Sequence, residues 1–158
     1  MKKLLLILLC LPMIGFGQTL IPDANFEQAL INLGYDTGIP NGSVPTANIN
    51  TVDTLDVQGQ NIADLTGIEA FTSLTYLDCS DNQLNHIDVS GSLGLLTFKC
   101  HYNNLTQLNV SSNTSLLYFE CYENQLTSLD ISNNIFLTEL WCNDNQLTSL
   151  DVQGIDMY

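Results

Sequence analysis

The chain has very few cationic residues. It holds only three lysines and arginines against seventeen aspartates and glutamates, and Lys2 and Lys3 at its start are two of the three. If a leading segment that contains them is removed, one cation, Lys99, stands against seventeen acids, for a formal charge of −16. Such a chain is repelled by nucleic-acid backbones and anionic membrane surfaces, so we expect neither as a partner. The charge favours solubility and leaves a cation or a basic partner open.

The chain also lacks an apolar run long enough to span a membrane comfortably. The run at 4–16, "LLLILLCLPMIGF", is broken by a proline, whereas a spanning helix needs about 20 apolar residues. A basic start precedes this run, and Gly15 and Gly17 place small residues before Gln18, where a cleavage site would need them. The pattern predicts a secretory signal peptide at 1–17 and no membrane span in the mature chain.

Two alternatives to a cleaved signal peptide remain. One is a retained membrane anchor. The other is a lipoprotein attached at Cys10, although Leu9 stands where such a signal carries a small residue. We therefore expect the protein to be secreted or held at the cell surface.

Most of the chain is a repeat with a fixed period. Four segments align without gaps from Leu74, Leu95, Leu116 and Leu137, and they share the frame LxxLxCxxNxLxxLDVSxNxx. A looser and slightly longer segment precedes them from Val52. A period of about 21 residues is typical of a solenoid. No linker divides the roughly 140 mature residues, a length that suits one domain.

The frame predicts the structure of each coil. Leucine and cysteine alternate with polar residues in "LxxLxC", which indicates a short strand with one buried face. Successive coils would stack these strands in parallel at about 4.8 Å. We expect an asparagine amide to bond the turn backbone of its own coil and of the next one where each strand ends, which satisfies buried backbone groups. These asparagines are Asn82, Asn103, Asn124 and Asn145.

This frame, present from 52 to 152, resembles that of leucine-rich repeat proteins. Its cysteine variant is similar to the internalin type with a cysteine ladder, and more so to leucine-rich repeat proteins exported by Bacteroidetes-type bacteria. The opening "IPDANFEQALINLGYDTG" resembles the N-terminal cap of that group. The resemblance implies a solenoid with a parallel β-sheet on the concave face, short strands or turns on the convex side and an N-terminal helical cap. It implies ligand binding and not catalysis.

The segment before the repeats reads as a helix. Asp23 is expected to cap its first turn, and Phe26, Leu30 and Leu33 mark one apolar face. Gly34 would end the helix. We expect this helix to cover the exposed edge of the first coil.

The boundaries that follow are a cap at 18–51 and about 4.5 coils at 52–158, the last of them incomplete. Residues 153–158 cannot complete a coil. We expect either a truncated product or an open end that pairs with something else.

The repeat cysteines occupy one frame position, one full repeat apart. In-register side chains point in parallel, so their Cβ atoms stay about as far apart as the backbones, farther than a disulfide prefers. A linear ladder does not converge as metal ligands must, and a valine at the same position of the first coil shows that an apolar residue fits. We interpret the thiols as reduced core residues, with no metal and no cofactor. They are Cys79, Cys100, Cys121 and Cys142.

Candidate binding residues are the strand side chains that the frame directs outward, on the concave face. Several are aromatic, and an outward aromatic residue has no core to fill, which favours a binding anchor. Cross-strand packing that stiffens the sheet is the alternative. The candidate set is Tyr76, Tyr102, Tyr118, Glu120, Tyr122, Glu123, Glu139, Trp141 and Asp144. We expect Trp141, Tyr118, Tyr122 and Tyr102 to form one exposed band.

Two charged patterns have structural explanations. Lys99 lies between Asp78 and Glu120 at one position of adjacent coils, where it would relieve their repulsion. Acidic residues also recur at the second turn, where they could bind calcium or simply serve as turn residues. The second-turn acids are Asp88, Asp130 and Asp151.

Three functions are compatible with these residues. The first is a monomeric secreted module that binds an unknown protein or peptide on its concave face. The second is a glycan-binding module of the cell envelope or extracellular space, because aromatic rings beside carboxylates also suit sugars. The third is an enzyme with Glu120 and Glu139 as paired carboxylates. We expect no enzyme, because a continuous shallow sheet offers no pocket to raise one pKa.

Overall fold

The computed structural model describes residues 17–151. The predicted signal peptide lies outside the described residues except for Gly17, and so do residues 152–158. No helix among the described residues has the length and apolar character needed to cross a membrane.

A five-stranded parallel sheet forms the concave face, with its strands in sequence order. The strands are β3 (Thr54–Asp56), β4 (Tyr76–Asp78), β5 (Thr97–Lys99), β6 (Tyr118–Glu120) and β8 (Glu139–Trp141). Each strand pairs with the next at equivalent frame positions, so the register repeats without a slip. The predicted leucine-rich repeat solenoid is confirmed.

The convex side consists of turns and short strands. Strands β7 (Ser128–Asp130) and β9 (Ser149–Asp151) pair in parallel in the fourth and fifth coils. A short 3₁₀ helix, Ile68–Ala70, lies on the first coil. The predicted mixture of short strands and turns on this side is therefore also found.

The N-terminal segment contains a helix and a small sheet. Strands β1 (Gln18–Leu20) and β2 (Ser43–Pro45) pair in antiparallel, an element that the sequence pattern did not predict. Helix α1 (Ala24–Asn32) lies between them, and α2 (Thr46–Ile49) follows.

Helix α1 begins at Asp23, as predicted. The Oδ1 atom of Asp23 accepts the N–H groups of Asn25 and Phe26, while its Oδ2 accepts those of Ala63 and Asp64 on the first coil. One carboxylate therefore both caps the helix and fixes it against the repeats. The chain turns away at Gly34, whose φ of 85° is in the left-handed region.

Apolar packing continues from this helix into the coils. Phe26 and Leu30 are fully buried, and the Phe26 ring lies 6.4 Å from that of Phe71 in the first coil. Leu33 was expected on the buried face but is 45% exposed, because the helix ends at Asn32 and Leu33 forms its C-cap.

Stacked asparagines hold the coils together. The Nδ2 of Asn124 donates to the carbonyl oxygens of Cys121 in its own coil and Cys100 in the preceding coil, while its Oδ1 accepts the N–H of Leu105. The bonds between coils therefore run to the preceding coil, not to the next one as expected. Because the amide satisfies buried backbone groups on both sides, it fixes the end of each strand. The equivalent residues Asn82, Asn103 and Asn145 make the same pattern.

Candidate functional site

The cysteine ladder belongs to the core. Cys79, Cys100 and Cys121 are fully buried and unpaired, as predicted. Burial is the main cause that raises the pKa of these thiols, which disfavours the nucleophilic thiolate. Cys142 departs from the expectation: it is only half-buried, because no described residue covers the outer side of its coil.

A residue with a left-handed backbone conformation follows each strand, at the rim of the concave face. In each of the last four coils, the residue just before the stacked asparagine has a positive φ, between 51° and 56°. The amide of the following asparagine fixes the turn, so the backbone conformation repeats whatever the side chain is. The four residues are Asp81, Tyr102, Glu123 and Asp144.

Every one of the nine predicted site residues lies on this face or at its rim, with varied exposure. Tyr102, Tyr118 and Trp141 are 47%, 43% and 53% exposed. The acidic residues Glu123, Glu139 and Asp144 are exposed as well. The half-buried members are Tyr76, Glu120 and Tyr122.

Three other residues that the frame directs outward are buried, contrary to expectation. Asp78 and Ser80 cover one another, because the Asp78 Oδ1 accepts both the N–H and the hydroxyl of Ser80, at 3.0 and 2.5 Å. The Tyr76 hydroxyl donates to the other Asp78 oxygen at 3.4 Å. His101 is only 8% exposed, because neighbouring rings cover it.

Four rings form one contiguous group, here called the aromatic cluster: His101, Tyr102, Tyr122 and Trp141. The His101 and Tyr122 rings stack almost in parallel, with centroids 4.4 Å apart and an interplanar angle of 8°. The Tyr102 ring meets the Tyr122 ring edge to face at 5.4 Å, and Trp141 lies 6.2 Å from Tyr122. These contacts fix the rings across three coils.

The predicted aromatic band is therefore correct in part. Tyr118 is exposed, but no described ring contact joins it to the cluster. His101 takes its place and was missed as a site residue. The signal was present, since His101 and Tyr122 hold the same frame position in adjacent coils, where side chains stack.

A small charge network lies beside the aromatic cluster. The Lys99 ammonium is 3.0 Å from Glu120 Oε1, and the His101 Nδ1 approaches Glu120 Oε2 at 3.4 Å without hydrogen-bond geometry. The hydrogen bond to Glu120 is the main cause that raises the pKa of Lys99. The predicted relief of repulsion therefore acts mainly on Glu120, because the Asp78 carboxylate accepts bonds from Ser80 and Tyr76 instead.

The Tyr122 hydroxyl lies in an environment that disfavours its ionised form. Burial is the main cause that raises the pKa of Tyr122, and the nearby Glu120 charge raises it further. The phenol is neutral at physiological pH, as an unperturbed tyrosine also is, and its ring has the electron-rich face that attracts cations.

The acids at the second turn have a structural task. The Oδ1 atoms of Asp88, Asn109 and Asp130 each accept the N–H of the serine two residues later, at 2.9, 3.0 and 2.9 Å. The Ser90 side chain and N–H lower the pKa of Asp88, and Ser132 does the same for Asp130. These residues act as turn formers, and no group of three or more potential metal ligands occurs within residues 17–151. The Asp151 side chain lies outside the description.

Two grooves of the described surface also lie at the second turns. Their shared lining includes His86, Ile87 and Asp88. Glu120 and Glu139, the carboxylates considered for glycoside hydrolysis, lie instead on the sheet, where Glu120 is paired with Lys99. The rings of the aromatic cluster also lie outside the lining of both grooves.

No family model matches the chain, and no curated protein does. Solved structures do match. The functional domain of InlJ from Listeria monocytogenes, which includes a cysteine ladder, is 29% identical with a TM-score of 0.67, over 85% of this chain and 35% of that one. An internalin from the same organism, InlF, is 23% identical with a TM-score of 0.61, over 85% and 37%. A leucine-rich repeat protein of Leptospira interrogans is 22% identical with a TM-score of 0.53, over 72% and 35%.

These likenesses bear out the internalin-like leucine-rich repeat solenoid, and the likeness to InlJ extends to the cysteine ladder. This chain spans about a third of the length of each of those structures.

Proposed function

We propose that this chain is a secreted leucine-rich repeat module that binds a protein or peptide on its concave face. The observation that carries the proposal is the aromatic cluster, whose rings are fixed on a parallel sheet while Tyr102 and Trp141 remain about half exposed. Rigid, exposed aromatic residues are the commonest anchors of protein interfaces. The binding set includes the nine predicted residues and His101 beneath them.

The backbone conformation at the rim also supports a binding site on the concave face. The left-handed position after each strand holds glycine in the first coil, where Gln60 takes the place of the asparagine, and aspartate in two later coils, but tyrosine at 102 and glutamate at 123. Glycine or asparagine would suit a positive φ better, and other residues there cost about 1 kcal/mol. Residues held in such a conformation at a rim occur most often at functional sites.

The remaining parts of the proposal follow from the sequence. We take 1–17 as a signal peptide, 18–51 as the cap and 52–158 as repeats, in a monomeric protein that is secreted or held at the cell surface. We expect no nucleic-acid partner and no enzymatic activity. The nearer resemblance to repeat proteins exported by Bacteroidetes-type bacteria belongs to this proposal as well.

A glycan-binding module is the second candidate. Trp141 is exposed and stands between Glu139 on its own strand and the rim residue Asp144. A flat ring beside hydrogen-bond acceptors suits the apolar face and the hydroxyl groups of a sugar.

Parallel screens on a protein and peptide array and on a glycan array test the proposal. A variant with alanine at Tyr102, Tyr122 and Trp141 is screened beside the unchanged chain, and Tyr35→Ala in the cap serves as the control. We expect hits on the protein array that the triple variant loses and the control keeps. Hits confined to the glycan array would favour the second candidate. Hits on either array that survive the triple substitution would refute the concave site.

A further inference from the structure

We propose that the ligand of the concave face is a basic polypeptide segment, whose lysine or arginine side chains bind between the aromatic cluster and the carboxylates around it. This inference rests on the proposed function, because it names the chemistry of the partner at the same site. It starts from the charge of the face. Within residues 17–151, Lys99 is the only lysine or arginine.

The one cation of the face is already engaged. Lys99 lies 3.0 Å from Glu120, so it leaves the outer carboxylates unmatched. Glu123, Glu139 and Asp144 are exposed around the aromatic cluster, and no described lysine or arginine pairs with them. Because neighbouring like charges repel one another, a cationic partner is the occupant that relieves the repulsion between these carboxylates.

The rings add a second source of affinity for cations. An ammonium or guanidinium group within about 6 Å of a tyrosine or tryptophan ring centre is attracted by the negative face of the ring. Trp141 and Tyr102 are about half exposed; Trp141 is the register partner of Glu120, and Tyr102 holds the same frame position as Glu123 in the next coil. A face that combines both features favours a cationic side chain over a neutral one.

His101 shows that the cluster is pre-organised. Its ring is only 8% exposed, lies flat against Tyr122, and its Nδ1 has no hydrogen-bond partner. The nearest charged group to this nitrogen is Glu120, which also binds Lys99. Because this stack already fixes the position of the Tyr122 ring, a ligand does not have to order that ring when it binds.

The geometry sets the length of the segment. The cluster runs from Tyr102 in the third coil to Trp141 in the fifth, which is two strand spacings, or roughly 10 Å. An extended chain covers this distance with about three residues. A short segment with two basic residues can therefore contact both ends of the cluster.

Two short peptides test the inference. They are identical except that one carries two arginines and the other two citrullines, which are close to arginine in shape but neutral, with a carbonyl oxygen in place of one NH2 group. Binding is followed by the fluorescence of Trp141, the single tryptophan of the chain. We expect the arginine peptide to bind at least about fivefold more tightly, because each of two exposed cation–π contacts supplies about two- to fivefold.

Matched variants locate the effect. Glu123→Gln removes one charge beside the cluster, and Tyr122→Leu keeps an apolar side chain while it removes the ring; each is expected to reduce the preference for arginine to about twofold or less. Asp53→Asn removes one exposed charge on the first coil and should keep the preference. Equal affinity of the two peptides, no fluorescence response to either, or an equal loss in Asp53→Asn would overturn the inference.

The outcomes separate this inference from the proposed function. If both peptides bind equally and Tyr122→Leu weakens both, concave recognition stands and the preference for cations is wrong. If Tyr122→Leu changes neither affinity, the concave site itself is wrong.

Discussion

The second turns and the concave face both carry recurrent acids, but they use them differently. At the turns, Asp88 and Asp130 accept the N–H of a nearby serine, and Asn109 makes the same bond between them. A neutral amide therefore accepts the same hydrogen bond, so the turn needs the side-chain oxygen and not its charge. On the concave face, Glu123 and Glu139 make no described side-chain hydrogen bond that the fold would need. A side chain that the fold does not use is the better candidate for recognition.

The largest loss of stability is expected from a substitution in the core. Leu126 is fully buried with coils on both sides, so Leu126→Ala should lower the free energy of unfolding by about 2–5 kcal/mol. Leu147 is only half-buried, and Leu147→Ala should cost clearly less. Urea unfolding of both variants checks this. Equal losses would show that the fifth coil is as well covered as the fourth.

The next effect concerns Asp23, an acid that the fold does use. Asp23→Asn leaves one oxygen for four backbone N–H donors and should cost about 1–3 kcal/mol at neutral pH. Burial alone would raise the pKa of Asp23, but those four donors together lower it below its ordinary value of 3.8.

The pH dependence of that effect follows from the sign of the shift. A carboxyl with a lowered pKa in the folded state stabilises the protein above about pH 3.8, and this stability is lost as the pH falls through the folded pKa. The difference between Asp23→Asn and the unchanged chain should therefore shrink below pH 3.8 in acid unfolding. A difference that stays constant down to strong acid would contradict the assigned role of Asp23.

Substitution of Tyr122, on the concave face, is expected to have an intermediate effect on the free energy of unfolding. An outward side chain without neighbours would leave stability unchanged, but Tyr122 is half-buried against His101. Tyr122→Ala should therefore cost about 0.5–1.5 kcal/mol of stability, the energy of one aromatic pair. Thermal unfolding measures it. A loss as large as that of Leu126→Ala would place Tyr122 among the core residues.

The smallest effect is expected at the turns. Asp88→Asn keeps the oxygen that accepts the Ser90 N–H and should change the free energy of unfolding by no more than about 0.5 kcal/mol. The same denaturant series checks it. A loss several times larger than this would mean that the charge itself, or an ion bound to it, supports the turn.

The repeat explains how much could be predicted from the sequence. A strict period fixes which side chains point inward, so the stacked strands, the asparagine bonds and three buried cysteines followed from the frame alone. The period does not describe what covers an outward side chain. Asp78 and His101 point outward from the backbone but are buried by their neighbours.

The non-repeating segment was harder to predict. The β1–β2 pair joins residues far apart in the chain, and short strands without clear alternation give no local signal. The exposure of Leu33 depends on where α1 ends, and helix boundaries are set by cap geometry as much as by apolar period.

The most direct test compares the two faces in one binding measurement. The partner found in the array screen is titrated by calorimetry with the unchanged chain, with the Tyr102, Tyr122 and Trp141 alanine variant, and with Asp88→Asn. We expect the concave variant to bind at least about tenfold more weakly, as loss of interface anchors does, and Asp88→Asn to bind as the unchanged chain does. Unchanged affinity in the concave variant, with a loss in Asp88→Asn, would place recognition on the convex turns and contradict the account.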